Sequence, residues 1–138
     1  MQSSVFRRWI ARILVTAVFL MNVQSALAFL LQPGAYAPGF ELSGVMGLYL
    51  VRAMGILFLM WNATYPPVIL RPGRCRVLFG VVVVQQVIGL AGESWLLSSL
   101  DPGHHTLAAT AARFVFFDTL GLIALAAAFL LTRERSRS

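Results

Sequence analysis

The sequence predicts an all-α polytopic membrane protein, built as an antiparallel bundle of four transmembrane helices. Three observations predict this class. Of 138 residues, 59% are hydrophobic and only 12% charged, against roughly 45–50% and about a quarter in soluble domains. The excess falls in four apolar runs of about twenty residues or more, the length that crosses about 30 Å of hydrocarbon. Short loops rich in Pro and Gly separate the runs, so neighbouring helices should pack antiparallel as one unit. The chain is therefore expected to be a single transmembrane domain, residues 1–138, with no soluble domain.

The first helix is predicted over about residues 9–31, ended by "QPGAYAPG". Its start also has the form of a signal peptide: an Arg-containing n-region, an apolar stretch, then "SALAF" with Ala26 and Ala28 as an A-x-A site. The apolar run continues through Phe29, Leu30 and Leu31 to spanning length, so the segment is expected to be retained. Cleavage after Ala28 would leave three helices in the same orientation. The second helix is predicted over about 42–65, ended by "YPPVILRPGR". The third is predicted over about 77–97, ended by "SSLDPGHH", and the fourth over about 106–132. Pro and Gly at these breaks stop helices and make turns.

Net charge is +6, and all 11 basic residues are Arg. They cluster at helix ends, which argues for topology rather than nucleic-acid binding. Arg7, Arg8 and Arg12 open the first helix; Arg71, Arg74 and Arg76 fill the loop between helices two and three; Arg133, Arg135 and Arg137 form the tail. The other two loops carry no Arg or Lys. By the positive-inside rule both termini are cytoplasmic, and the inner (plasma) membrane is the expected location. Trp9, Trp61, Tyr65 and Trp95 fall near helix ends, where interfacial aromatics belong.

Four ionisable residues fall inside the apolar runs: Arg52, Glu93, Arg113 and Asp118. At 1.5 Å per residue, Glu93 and Arg113 lie about 6 and about 10 Å from the same end, and Arg52 and Asp118 roughly 15–18 Å in. Sign and depth predict two interhelical ion pairs, Glu93 with Arg113 and Arg52 with Asp118. A lone charge at a helix centre costs about 2.5–3.5 kcal/mol on insertion scales. Removing one partner of a buried pair costs about 3–5 kcal/mol. Such pairs either fix helix register or line a polar cavity. Gln86, seven residues before Glu93, and Asn22 extend a polar seam, with Gln24 also on helix one. Gly47, Gly55 and Gly89, with Ala108 and Ala112, permit close helix approach. Phe114, Phe116 and Phe117 read as lipid-facing or packing residues.

Several chemistries are excluded or disfavoured. Without lysine there is no retinal Schiff base. The single Cys75, in "RPGRCR", allows neither an intrachain disulfide nor a two-thiol redox motif, and reads as an ordinary loop cysteine. The only histidines, His104 and His105, are adjacent in a loop, so a transmembrane haem has no helix-borne ligands. Beside Asp101 and Glu41 they lack a ligand spacing, and no metal or other cofactor is expected. "DPG" reads as a turn into the fourth helix. No nucleophile motif, phosphate-binding loop or metalloprotease signature is present, so the chain is not expected to be an enzyme.

The length, the four helices and "FELSGVMGLYLVRAMGILFLMWN" together resemble the small bacterial DoxX-like membrane proteins. In these an Arg- and Gly-rich second helix follows a short outer loop; Arg52 and Gly55 carry the likeness. The resemblance implies a four-helix bundle and no single activity. Small multidrug transporters also have four helices, but their signature acid lies in helix one, which here has none.

The expected role is an accessory or structural subunit of a membrane complex, with the lipid bilayer, partner membrane subunits or further copies as its contacts. The alternative is a small transporter or proton-conducting protein using Glu93, Arg113, Arg52 and Asp118. A quinone- or lipid-binding redox helper ranks third.

Overall fold

The computed structural model describes residues 2–132, and the tail arginines Arg133, Arg135 and Arg137 lie outside them. Six α-helices and one 3-10 turn follow in order: α1 (Gln2–Leu31), α2 (Pro33–Tyr36), the 3-10 turn (Ala37–Phe40), α3 (Gly44–Asn62), α4 (Tyr65–Leu70), α5 (Arg76–Ser98) and α6 (His105–Leu131). Four stretches are long and apolar enough to cross a membrane: Val5–Leu31, Gly44–Leu70, Arg76–Ser98 and His105–Leu131. The protein is built as a multi-pass membrane protein.

The second span is broken. Asn62 turns its side-chain amide back to the Phe58 carbonyl, Thr64 bonds the Trp61 carbonyl, and α3 stops. Pro66 and Pro67 cannot continue a helix, yet they suit a first turn, where no intrahelical N–H bond is needed. The chain therefore restarts at once as α4, where the sequence predicted only a turn. In the same way Pro33 and Pro38 open α2 and the 3-10 turn inside the predicted first loop.

α1 is the central helix, packed against α3, α6 and α4; α6 packs against α5. Gly55 of α3 makes the closest approach. A Cβ there would stand 2.7 Å from the Ala26 carbonyl oxygen, so only glycine lets the two backbones meet. The α3 and α5 backbones, the pair that would close the ring, stand apart and meet through the Trp61 ring against Gly89.

Two cores pack the ends of the bundle. At the Arg-rich end, Val15 and Val18 of α1 meet Tyr65 and Val68 of α4, Phe79 and Val82 of α5, and Leu125 of α6. At the other end Phe29 of α1, Ala37 of the 3-10 turn and Val51 of α3 form the second core. Phe29 is its hub, within 5.0–6.1 Å of the rings of Tyr36, Phe40, Phe58 and Phe114. Trp9 and Trp95 face outward as expected of interfacial aromatics, at 57% and 67% exposure. Tyr65 does not: it is fully buried, because α4 folds under the bundle instead of running out as a loop. Trp61 likewise turns inward, toward Gly89.

Candidate functional site

A cavity of about 550 Å³ lies between the two cores. Its wall is assembled from all four spans. α1 contributes Asn22, Gln24 and Ser25; α3 contributes Phe58, Trp61 and Asn62. α5 contributes Gln86, Gly89 and Glu93, and α6 contributes Phe114, Phe117 and Asp118. Residues 86, 89 and 93 recur at three and four, the spacing that sets them on one face of α5. The sequence pattern of Gln86, Gly89 and Glu93 thus becomes one polar stripe facing inward.

Glycines shape the α5–α6 wall. A Cβ on Gly89 would lie 3.3 Å from Asp118 Oδ2, and one on Gly121 would lie 3.1 Å from Gln86 Nε2. These gaps let the two polar side chains cross between the helices. Gln86, only 4% exposed, donates through Nε2 to the Asp118 carbonyl oxygen at 3.2 Å. Asp118 is the middle residue of α6, thirteen residues from His105 and thirteen from Leu131, or about 20 Å from either end.

The Glu93 and Asp118 carboxyls line the same cavity, Asp118 Oδ2 lying against Gly89, four residues before Glu93 on the same face of α5. An ionised carboxylate only accepts, so a hydrogen bond between them needs a proton on one of the two. Glu93 Oε2 and Asn62 Oδ1 are buried with no hydrogen-bond partner among the described residues. The Tyr65 hydroxyl is also buried without a partner among those residues, in the core at the Arg-rich end. The buried wall atoms left without a partner are both oxygen acceptors.

The two ion pairs predicted from sign and depth do not form. The one salt bridge among the described residues joins Glu41 to His104. Arg113 is exposed and donates to Thr110 Oγ1 at 3.2 Å, one turn back on its own helix. Arg52 is exposed on α3, the residue after the buried Val51, and has no polar partner among the described residues. Depth counting failed because it ignores azimuth. On α6, Arg113 and Asp118 do point apart, but α5 receives Asp118 as well as offering Glu93. The acids were found in the sequence; their partnership with each other was not. Gln86 and Asn22 line the same cavity, while Trp61, Asn62 and Phe58 are wall residues the sequence reading placed elsewhere or passed over.

At the end away from the Arg-rich loops, Glu41 ties two hairpins together. Its Oε2 lies 2.5 Å from His104 Nδ1, and its Oε1 accepts from the Leu107 backbone N–H at 3.1 Å. The second bond caps the first turn of α6, where a carboxylate is favoured. The His104 hydrogen bond and the Leu107 N–H both hold Glu41 below the usual carboxylate range, and Glu41 raises His104 in return. Both groups are open to solvent, and no group of three or more metal-ligating side chains occurs among the described residues. At the Arg-rich end, Arg12 Nε donates to the Ile69 carbonyl at 2.9 Å and a terminal nitrogen to that of Leu70 at 2.5 Å, binding α1 to the end of α4. Arg76 lies over the Phe129 ring at 4.4 Å.

Comparison with family models, with curated proteins and with solved structures finds no match.

Proposed function

We propose that the protein is a small carrier of the cell inner membrane, both termini cytoplasmic, that moves protons through the central cavity by loading and unloading Glu93 and Asp118. The observation that carries this reading is the presence of two carboxyls, inside the span, in the wall of one cavity that holds no arginine. A structural ion pair would satisfy itself. Two acids on their own need protons or a cation to become neutral in a medium where a bare charge is costly. Acids of this kind inside a membrane mark proton and ion pathways more often than packing devices. The orientation rests on Arg7, Arg8, Arg12, Arg71, Arg74 and Arg76 gathering at one end. The cavity gives no role to Arg52 or Arg113, and no catalytic step is assigned to any residue.

The test is proton flux in proteoliposomes carrying an internal pH dye. Wild type should dissipate an imposed gradient, Asp118→Asn should abolish the flux and Glu93→Gln should reduce it. Equal flux from wild type and Asp118→Asn, or none from either, removes the reading.

A second reading, an accessory subunit of a membrane complex, is favoured by Arg52 and Arg113. Both lie about 12 Å from the start of their helices, 44 to 52 and 105 to 113, and both face outward. Cations at that depth call for a carboxylate or a lipid phosphate from outside this chain. Purification from native membranes in mild detergent, with mass spectrometry, tests it: a monomer in every preparation rejects it.

A further inference from the structure

We propose that the cavity binds a hydrophobic organic monocation, a protonated amine carrying an aromatic group, and that this ligand enters from the bilayer between α3 and α5. The inference rests on the cavity reading above and names the solute that shares the acids with protons.

Charge decides the sign of the ligand. The wall offers Glu93 and Asp118 and no base, while the in-span arginines point elsewhere. An anion would be repelled, and a neutral solute would leave two acids unexplained. The unsatisfied buried atoms of the wall, Glu93 Oε2 and Asn62 Oδ1, are both acceptors. Asn62 is only 3% exposed, so its bare carbonyl oxygen has no solvent to turn to. An ammonium group has N–H donors and no acceptor, and so matches these two unpartnered oxygens.

The rest of the wall selects the body of the ligand. Phe58 and Trp61 of α3 face Phe114 and Phe117 of α6 around the cavity. Aromatic faces attract an organic cation, and Trp does so best. A bare metal ion fits poorly: hard cations take six or more oxygens at short, regular distances, whereas this wall is mostly ring and methyl surface. The volume of about 550 Å³ lies in the range of small-molecule pockets, and is far larger than a desolvated ion needs.

Access follows from the packing. The Arg-rich end is plugged by Tyr65, Val68, Phe79 and Leu125, and the opposite end by the Phe29 cluster. Between these plugs the α3 and α5 backbones stand apart and are spanned by the Trp61 ring against Gly89, so the lateral way in at mid-span runs beside that ring. A ligand using that way must first dissolve in the bilayer, as an aromatic amine does. Two neutral loadings of the acids then exist: two protons, or one proton and one monocation. Exchanging one for the other releases one proton, so cation and proton compete.

The experiment uses the full-length protein in lipid nanodiscs with 1-naphthylmethylamine, and 1-naphthylmethanol as its uncharged counterpart. The amine should bind saturably, the alcohol at least about tenfold more weakly, the loss expected when a charge-assisted contact is missing. Asp118→Asn and Asn62→Ala should each weaken the amine, and Arg113→Gln should not. Affinity in wild type should fall as pH is lowered, with release of about one proton per ligand measured in buffers of different ionisation enthalpy. Should Asp118→Asn fail to fold, the pH dependence and Trp61→Leu, each of which must weaken the amine, carry the test. Equal binding of amine and alcohol, or no saturable binding to folded wild type, overturns the proposal. Asp118-dependent binding without proton flux keeps the ligand and removes the carrier; Asp118-dependent flux without amine binding does the reverse.

Discussion

Gly89 on α5 lies directly beneath Asp118 on α6: a Cβ there would stand 3.3 Å from Asp118 Oδ2 and 3.6 Å from the Trp61 ring. Both neighbours are ends of side chains, which can yield by a few tenths of an ångström. Gly89→Ala should therefore fold, since alanine gains about 0.8–1 kcal/mol of helix propensity over glycine. It should still displace the carboxyl and weaken whatever binds there. Gly89→Leu fills the space between Trp61 and Asp118 and should abolish amine binding while circular dichroism keeps its helical signal. Wild-type binding by a folded Gly89→Leu protein would place the site elsewhere.

Gly55 differs because its neighbours are backbone. A Cβ would meet the Ala26 carbonyl oxygen at 2.7 Å and the Leu30 nitrogen at 3.1 Å, and neither can move without parting α1 from α3. Gly55→Ala should destabilise by about 1–3 kcal/mol, the usual cost of overpacking. Gly80, also inside a helix, has no atom within 4 Å of its would-be Cβ. Gly80→Ala should be neutral or gain up to about 1 kcal/mol from helix propensity. Thermal unfolding in detergent compares the two.

The span count was legible because twenty-residue apolar runs have few alternatives. The boundaries of α5 and α6 followed from "SSLDPGHH", and the small residues at 55 and 89 marked close approaches. The second break was half legible: "YPP" announces that α3 ends, but its fitness as a helix start shows only once α4 is seen under the bundle. The site was legible as a set of residue types and illegible as a set of partners. Glu93, Asp118, Gln86 and Asn22 announce themselves as polar atoms in apolar runs. Which of them meet depends on the rotation of each helix, and that is fixed by Gly89 and Gly121 against Asp118 and Gln86. Arg113 shows the limit: it matches Glu93 in sign and depth yet bonds Thr110 on its own helix.

Arg12 reaches two carbonyls in the last turn of α4, groups that a helix end leaves without intrahelical partners. Arg12→Gln should cost about 1.5–3 kcal/mol, the range for hydrogen bonds involving a charged group. Arg12→Lys should recover less than half of that, because an ammonium cannot present two N–H groups to two oxygens in a fixed fork. Unfolding midpoints of the three proteins in one detergent give the comparison.

The Glu41–His104 contact should make stability depend on pH at the end opposite the arginines. His104 is raised above its ordinary 6.5, first by its hydrogen bond to Glu41, so its contribution is full below pH 6.5 and lost as pH climbs through the higher folded value. Glu41 is lowered below its ordinary 4.5, first by the same bond, so its contribution is full above pH 4.5 and lost as pH falls through the lower folded value. The contact is complete between about pH 4.5 and 6.5 and weakens on either side. His104→Ala should flatten the alkaline limb of a plot of unfolding temperature against pH. Superimposable profiles for wild type and His104→Ala would show that the contact is not made.

The arrangement of the four in-span charges makes opposite forecasts for different pairs. Glu93 and Arg113 make no contact, and neither do Arg52 and Asp118, so paired substitutions should add to within about 0.5 kcal/mol, as for independent sites. Glu93 and Asp118 line one cavity from adjacent helices. Glu93→Gln with Asp118→Asn should therefore deviate from additivity by about 0.5–3 kcal/mol, the range for residues in contact. A double-mutant cycle on unfolding in detergent reads all three pairs under one condition. Coupling between Glu93 and Arg113 larger than that between Glu93 and Asp118 would restore the charge pairs and dissolve the acid site.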